Sequence, residues 1–193
     1  MINTDTGNNE ADKYLVDRVL SGDKAAFASI IRNTEVLVTQ IVFKMISNPG
    51  DRKDIAQDIY LKAFKNLAGF KFQSKLSTWI AQVSYNTCLD YLRKKKMIFP
   101  GTIDEEKEMN DPFSDDTNVL LRQRELSTIL KSGIEQLPPV YKTLITLYHN
   151  EELSYGEIVQ ITGLPEGTVK SYLFRARKAL KNCLLLSYKK EDI

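Results

Sequence analysis

Histidine and cysteine are scarce in this chain. His149 is the only histidine, and Cys88 and Cys183 are the only cysteines. Two thiols so far apart give neither metal-ligand spacing nor a disulfide framework. Both lie in apolar helical patterns and are expected to be reduced core residues. His149 has no partner pattern and is expected at the surface near a helix end. No catalytic constellation, metal set or cofactor site is therefore expected. Apolar runs approaching membrane-spanning length are also missing from this reading, and the start, Met1-Ile2-Asn3-Thr4-Asp5, is too polar for a signal peptide. These absences imply a cytoplasmic protein with no membrane insertion. Strand-type alternation is nearly absent too, which leaves an all-α fold.

Helical periodicity and an uneven charge distribution are what remain. The 193 residues allow one large domain or two small ones, each able to bury a core. A formal net charge of +2 is low for a nucleic-acid binder, but distribution matters more than the sum. Cations gather at Arg93-Lys94-Lys95-Lys96 and again near residues 170–178. Carboxylates gather between them, at Asp104, Glu105, Glu106, Glu108, Asp111, Asp115 and Asp116. With Pro100, Gly101 and Pro112 and no clear period, residues 97–118 read as a flexible acidic linker. It separates a helical N-terminal domain at 10–96 from a second at 119–188.

In the first domain the pattern predicts helices over Asp12 to Leu20, Asp23 to Ile46, Asp51 to Leu67 and Lys75 to Lys96. Phe27, Ile30, Ile31, Val38, Val42 and Ile46 are candidate core residues of the second helix. Ile55, Ile59 and Ala63 are those of the third, which Asp51 is expected to cap after the break at Asn48-Pro49-Gly50. Ala68 to Ser74 reads as a loop. In the second domain, apolar positions from Leu120 to Leu137 predict a helix that Pro138-Pro139 ends. Tyr141 to His149 predicts the next.

The stretch from Leu153 to Leu180 reads as a helix-turn-helix. Ser154 and Glu157 have the spacing of a capping box. Gly163 suits a left-handed C-terminal position, and Pro165 stands about where the next helix begins. In that helix Val169, Leu173, Ala176 and Leu180 should face inward. Lys170, Ser171, Phe174, Arg175 and Lys178 fall on the other face. In a DNA major groove such a helix presents Lys and Ser to base edges, Phe to a thymine methyl and Arg to phosphate.

Three stretches, in order, resemble bacterial RNA polymerase sigma factors of the extracytoplasmic-function (ECF) type. The helix Asp51 to Phe64 is similar to that family's core-polymerase-binding helix. Phe70 to Lys96, with Ser74, Thr78-Trp79-Ile80, Asn86, Asp90 and Leu92-Arg93, is similar to its promoter-melting segment. Gly163 to Leu180 is similar to its upstream-promoter reader. The resemblance implies promoter-specific transcription initiation, with core RNA polymerase (β′ coiled coil and β flap), promoter DNA and an anti-sigma factor as partners.

The resemblance also implies roles for particular residues. Asp54, Gln57, Asp58 and Leu61, one outer stripe at three- and four-residue steps, would dock on the polymerase. Lys71, Phe72, Gln73, Ser74, Lys75, Asn86, Asp90, Arg93 and Lys94 would hold the minus-ten element, where bases flipped from the non-template strand offset the cost of unpairing. Thr168, Lys170, Ser171, Phe174, Arg175 and Lys178 would read the minus-thirty-five element. Trp79 is expected in the core.

Departures touch promoter choice. Phe72 stands where a glycine is common, Gln82 replaces a frequent arginine, and Tyr172 replaces another. The linker either follows the path of nucleic acid or is a simple tether. An enzyme of the site-specific recombinase kind is one competing reading, but the N-terminal half shows neither a nucleophile with an arginine cluster nor a metal-binding carboxylate set; a helix-turn-helix regulator acting outside the polymerase is the other. It leaves the stripe at Asp54 and the loop at Phe70 to Ser74 without a role.

Overall fold

The computed structural model describes the backbone of residues 4–95 and 119–191 and the side chains of residues 10–95 and 127–185. Among these residues there are helices and no strands: α1 (Thr4–Leu20), α2 (Lys24–Met45), α3 (Pro49–Asn66), α4 (Leu76–Lys94), α5 (Val119–Gln136), α6 (Pro139–His149), α7 (Tyr155–Thr162) and α8 (Glu166–Glu191). A short 3-10 turn, Leu67–Gly69, opens the loop before α4. The all-α architecture is as expected, although α1 begins eight residues earlier than its apolar period suggests. The acidic stretch 97–118 lies outside the described residues.

Local chemistry sets most helix starts. Asp23 accepts from the amides of Ala25 and Ala26 and caps α2. At α3 the expected cap is displaced. Asn48 takes the position, accepting the Gly50 amide at 3.0 Å, and Pro49 enters the first turn. Proline is favoured there because the donor it lacks would have no helical partner anyway. Asp51 thus falls inside the helix, and its carboxylate turns to α4 to accept from Tyr91 and, at 2.9 Å, from Lys95 Nζ. The start of α4 has no side-chain cap of its own. Asp12 of α1 accepts the Leu76 amide at 2.8 Å instead.

The N-terminal half closes around α2. Its buried stripe, Ala26, Ile30, Thr34, Val38, Ile41, Val42 and Met45, shares a core with Ile55, Ile59 and Ala63 of α3 and with Ile80, Ala81, Tyr85 and Cys88 of α4. Phe27 and Ile31 are only half-buried at its margin. Helix α2 is 22 residues long and holds an 18-residue window of mean hydropathy 1.2, so by length and composition alone it reaches the range of a membrane span, which the sequence reading did not anticipate. Its apolar stripe is nevertheless occupied, packing against α1, α3, α4 and α6.

In the C-terminal half, every residue of α6 from Val140 to Leu147 is buried. Eight consecutive residues cover the whole circumference of a helix, so α6 must have neighbours on opposite flanks. Helices α7 and α8 lie against it from its own half, and α2 lies against it from the other. Helix α7 likewise touches both α8 and α4. The two halves therefore meet along α2–α6 and α4–α7.

Candidate nucleic-acid and protein interfaces

The helix-turn-helix forms from the residues that announced it. The Glu157 amide donates to Ser154 Oγ at 3.2 Å, and the Ser154 amide donates to Glu157 Oε2 at 3.0 Å, completing the capping box. Gly163 ends α7 at φ +69°, a conformation that costs any residue with a Cβ. The Pro165 carbonyl accepts from the Thr168 and Val169 amides and starts α8.

On α8, Val169, Leu173 and Ala176 are fully buried, and Leu180 is half-buried. Lys170, Ser171, Phe174 and Arg175 are exposed, while Thr168 and Lys178 are half-buried. Phe174 leaves 65% of its surface in water, so core packing does not account for it. Lys170 Nζ sits 2.6 Å from Glu166 and 5.4 Å from the Tyr155 ring centroid. The Glu166 hydrogen bond pushes the Lys170 ammonium above its ordinary range, so its charge persists. The Ser171 hydroxyl donates back to the Thr168 carbonyl at 2.9 Å, and its lone pairs remain to accept.

A second surface lies at the start of α4. Gly69, Phe70, Lys71, Gln73, Ser74, Thr78, Trp79, Gln82 and, from the other half, Gln160 line an open cleft of about 340 Å³. Phe70 stacks obliquely between Phe72 and Trp79, with ring centroids 4.7 and 5.4 Å away. An aromatic wall with amides and a lysine at its rim suits an unstacked base with its phosphate. The expected core role of Trp79 is half of what is found: the ring is half-buried against the core and also lines the cleft. Phe72 adopts φ +56°, a left-handed conformation that is unusual for a bulky residue. Glycine would take it without strain.

Not all the expected minus-ten residues reach this cleft. Lys71, Gln73 and Ser74 line it, and Phe72 and Lys75 flank it. Asn86, Asp90, Arg93 and Lys94 are exposed further along α4. From Trp79 to Arg93 the helix climbs about 20 Å. Gln82, Asn86, Asp90 and Arg93 follow one another at three- and four-residue steps, so one stripe continues from the cleft along the helix.

The third surface is on α3. Asp54, Gln57, Asp58 and Leu61 are all exposed, with Ile55, Ile59 and Ala63 buried behind them. Sequence reasoning missed Phe64, which is half-exposed one turn beyond Leu61 and meets Phe27 edge-on at 5.0 Å. Its three-residue step from Leu61 was the available signal. Carboxylates and an amide thus grade into an apolar end, the composition of a protein-docking face rather than a purely solvated one.

Comparison with known proteins gives these surfaces a common context. Residues 30–97 match the family model of sigma-70 region 2, and residues 127–180 match that of sigma-70 region 4. The ECF RNA polymerase sigma factor SigW of Bacillus subtilis is 32% identical over 182 residues, spanning 89% of this chain and 96% of that one. The ECF RNA polymerase sigma-E factor of Escherichia coli K12 is 33% identical over 183 residues, spanning 89% and 93%. Among solved structures, CnrH in complex with the cytosolic domain of CnrY superposes with a TM-score of 0.62 at 21% identity, over 90% of this chain and 97% of that one. The sigma factor RpoE from Bartonella quintana, in complex with the anti-sigma factor NepR, gives 0.59 at 21% identity, over 82% and 96%. The two likenesses establish a shared fold.

A chain that matches both of these regions is a transcription initiation factor. The chain belongs to the sigma-70 family, in its ECF branch, and its function is promoter-specific initiation with core RNA polymerase. The competing reading, a regulator acting outside the polymerase, is set aside because both halves match.

Proposed function

We propose that the three surfaces divide the work of initiation. The α3 stripe, Asp54, Gln57, Asp58 and Leu61, docks on the β′ coiled coil of core polymerase, where cationic residues would meet its carboxylates. Lys71, Phe72, Gln73, Ser74 and Lys75, with the α4 stripe of Asn86, Asp90, Arg93 and Lys94, hold the melted minus-ten strand. Captured bases offset the unpairing cost, so no nucleotide hydrolysis is needed. Thr168, Lys170, Ser171, Phe174, Arg175 and Lys178 read the minus-thirty-five element in the major groove while the C-terminal domain engages the β flap. The domains are assigned to 10–96 and 119–188, joined by 97–118.

The observation that best supports this division is that Asp54, Gln57, Asp58 and Leu61 on α3, Asn86, Asp90, Arg93 and Lys94 on α4, and Lys170, Ser171, Phe174 and Arg175 on α8 are exposed while the same helices bury their apolar stripes. An anti-sigma protein is proposed as a further partner. Support comes from the fold shared with the sigma factor RpoE, solved with the anti-sigma factor NepR, and with CnrH, solved with the cytosolic domain of CnrY. Action on polymerase and DNA places the chain in the cytoplasm.

Gel filtration with purified core polymerase from the source organism tests the division. The wild-type chain should co-elute with core and Asp58→Lys should not, while Arg175→Glu should still co-elute. Equal co-elution of all three would remove the α3 stripe from the polymerase contact.

A further inference from the structure

His149, the one histidine, ends α6 where that helix packs against α7 and α8. Its Nε2 accepts the Arg177 Nε hydrogen from α8 at 3.3 Å, joining residues 28 positions apart. A ring nitrogen that accepts carries no proton, so the contact needs the neutral imidazole with its hydrogen on Nδ1. The guanidinium held there lies over the Tyr148 ring, 5.1 Å from its centroid. Tyr148 stacks on Tyr155 of α7, with centroids 5.0 Å apart and planes 22° from parallel. Lys170 Nζ in turn lies 5.4 Å from the Tyr155 centroid. The series runs imidazole, guanidinium, ring, ring, ammonium, and it ends on a side chain proposed to read base edges.

We propose that His149 is a positioning residue for minus-thirty-five recognition: while neutral, it holds Arg177 on the Tyr148–Tyr155 stack and, through that stack, steadies Lys170. This inference rests on reading Lys170 as a promoter contact.

Charge decides when the series holds. Burial first, and the Arg177 charge second, lower the imidazole below its ordinary 6.5, so it is neutral at neutral pH. Around it stand Tyr148 on its own helix, Tyr155 on α7, and Arg177, Lys170 and Glu166 on α8, with Glu166 paired to Lys170 at 2.6 Å. Glu151 and Glu152 follow in the turn after α6. Protonation of Nε2 removes the acceptor and sets an imidazolium against a guanidinium. The contact is therefore present above 6.5 and lost as pH falls through the lower, folded value. An added cation near DNA would by charge alone tighten binding in acid. Loss of positioning has the opposite sign.

His149, Lys170 and Arg177 are all exposed, so substitutions there leave the core intact. In the free chain the single imidazole gives one NMR titration. Arg177→Gln removes the guanidinium charge and should raise the His149 pKa. Holoenzyme is then bound to a promoter fragment selected by run-off transcription, at about pH 8 and about pH 5.5. His149→Gln keeps an acceptor, Oε1, that acid does not remove. Core polymerase contributes the same pH dependence to both proteins, so the ratio of wild-type to variant affinity isolates His149. That ratio should fall about two- to fivefold on acidification. In a Lys170→Ala background it should stay flat. Circular dichroism at both pH values checks that each protein is folded.

A His149 pKa unmoved by Arg177→Gln would overturn the contact. A ratio that stays flat or rises in acid would overturn the positioning role. Unchanged promoter affinity of Lys170→Ala at about pH 8 would strike the reading of Lys170 and the proposal with it, while the NMR result stood.

Discussion

Tyr91 of α4 donates its phenolic hydrogen to the Asp51 carboxylate of α3. The bond ties the first turn of the helix that carries Asp54, Gln57 and Asp58 to the end of the helix that carries Asn86, Asp90 and Arg93. One face is proposed for polymerase and the other for DNA, so this link keeps the two in register.

Removing it has a signed pH consequence. The bond from Tyr91, and then that from Lys95, holds the Asp51 carboxyl below its ordinary value of 3.8. A carboxylate lowered on folding adds stability that is present above its unfolded pKa and lost as pH falls through the folded value. Tyr91→Phe should therefore lower the thermal midpoint at neutral pH and lose less of it below pH 3.8 than wild type does. Its Asp51 pKa, read by carbon NMR, should move up. An unmoved pKa would mean that the bond does not hold the carboxylate.

Phe72 gives a test of backbone conformation separate from side-chain packing. Phe72→Ala and Phe72→Gly both remove the ring that contacts Phe70. Only glycine adopts φ +56° without strain. The glycine variant should be the more stable of the two by about 1 kcal/mol in urea unfolding. The reverse order would place Phe72 at an ordinary negative φ in solution.

Leu173 and Phe174 are adjacent in sequence and opposite in consequence. Leu173 is fully buried, so Leu173→Ala should cost about 2–5 kcal/mol of stability. Phe174 is exposed, so Phe174→Ala should change stability by no more than about 0.5 kcal/mol. It should instead weaken holoenzyme at promoters with an intact minus-thirty-five element. Denaturant unfolding and promoter-binding assays separate the two. A large stability loss in Phe174→Ala would return the ring to the core.

These contrasts mark what the sequence could reveal. Ser154, Glu157 and Gly163 act on backbone groups within a few residues of themselves, so their roles are legible locally. The inward and outward faces of α8 and α3 follow from helical period alone. The cap of α3 was misjudged because Asn48 and Asp51 are both competent acceptors, and the preference of Pro49 for the first turn decides between them. Asp12 capping Leu76 could not be foreseen, since the two are 64 residues apart. Gln160 at the cleft and the second role of Trp79 depend on how elements distant in sequence pack, which local pattern does not encode. The sequence reading of α2 understated its apolar character by counting uninterrupted runs rather than mean hydropathy.

The most direct measurement is run-off transcription on genomic promoter fragments by purified core polymerase from the source organism, with and without the chain. Discrete new start sites should arise with the wild-type protein. They should be lost with Asp58→Lys, through core binding, and with Arg175→Glu, through promoter reading at an intact core interface. Start sites that persist undiminished in both variants would contradict the assignment of these surfaces to polymerase and promoter.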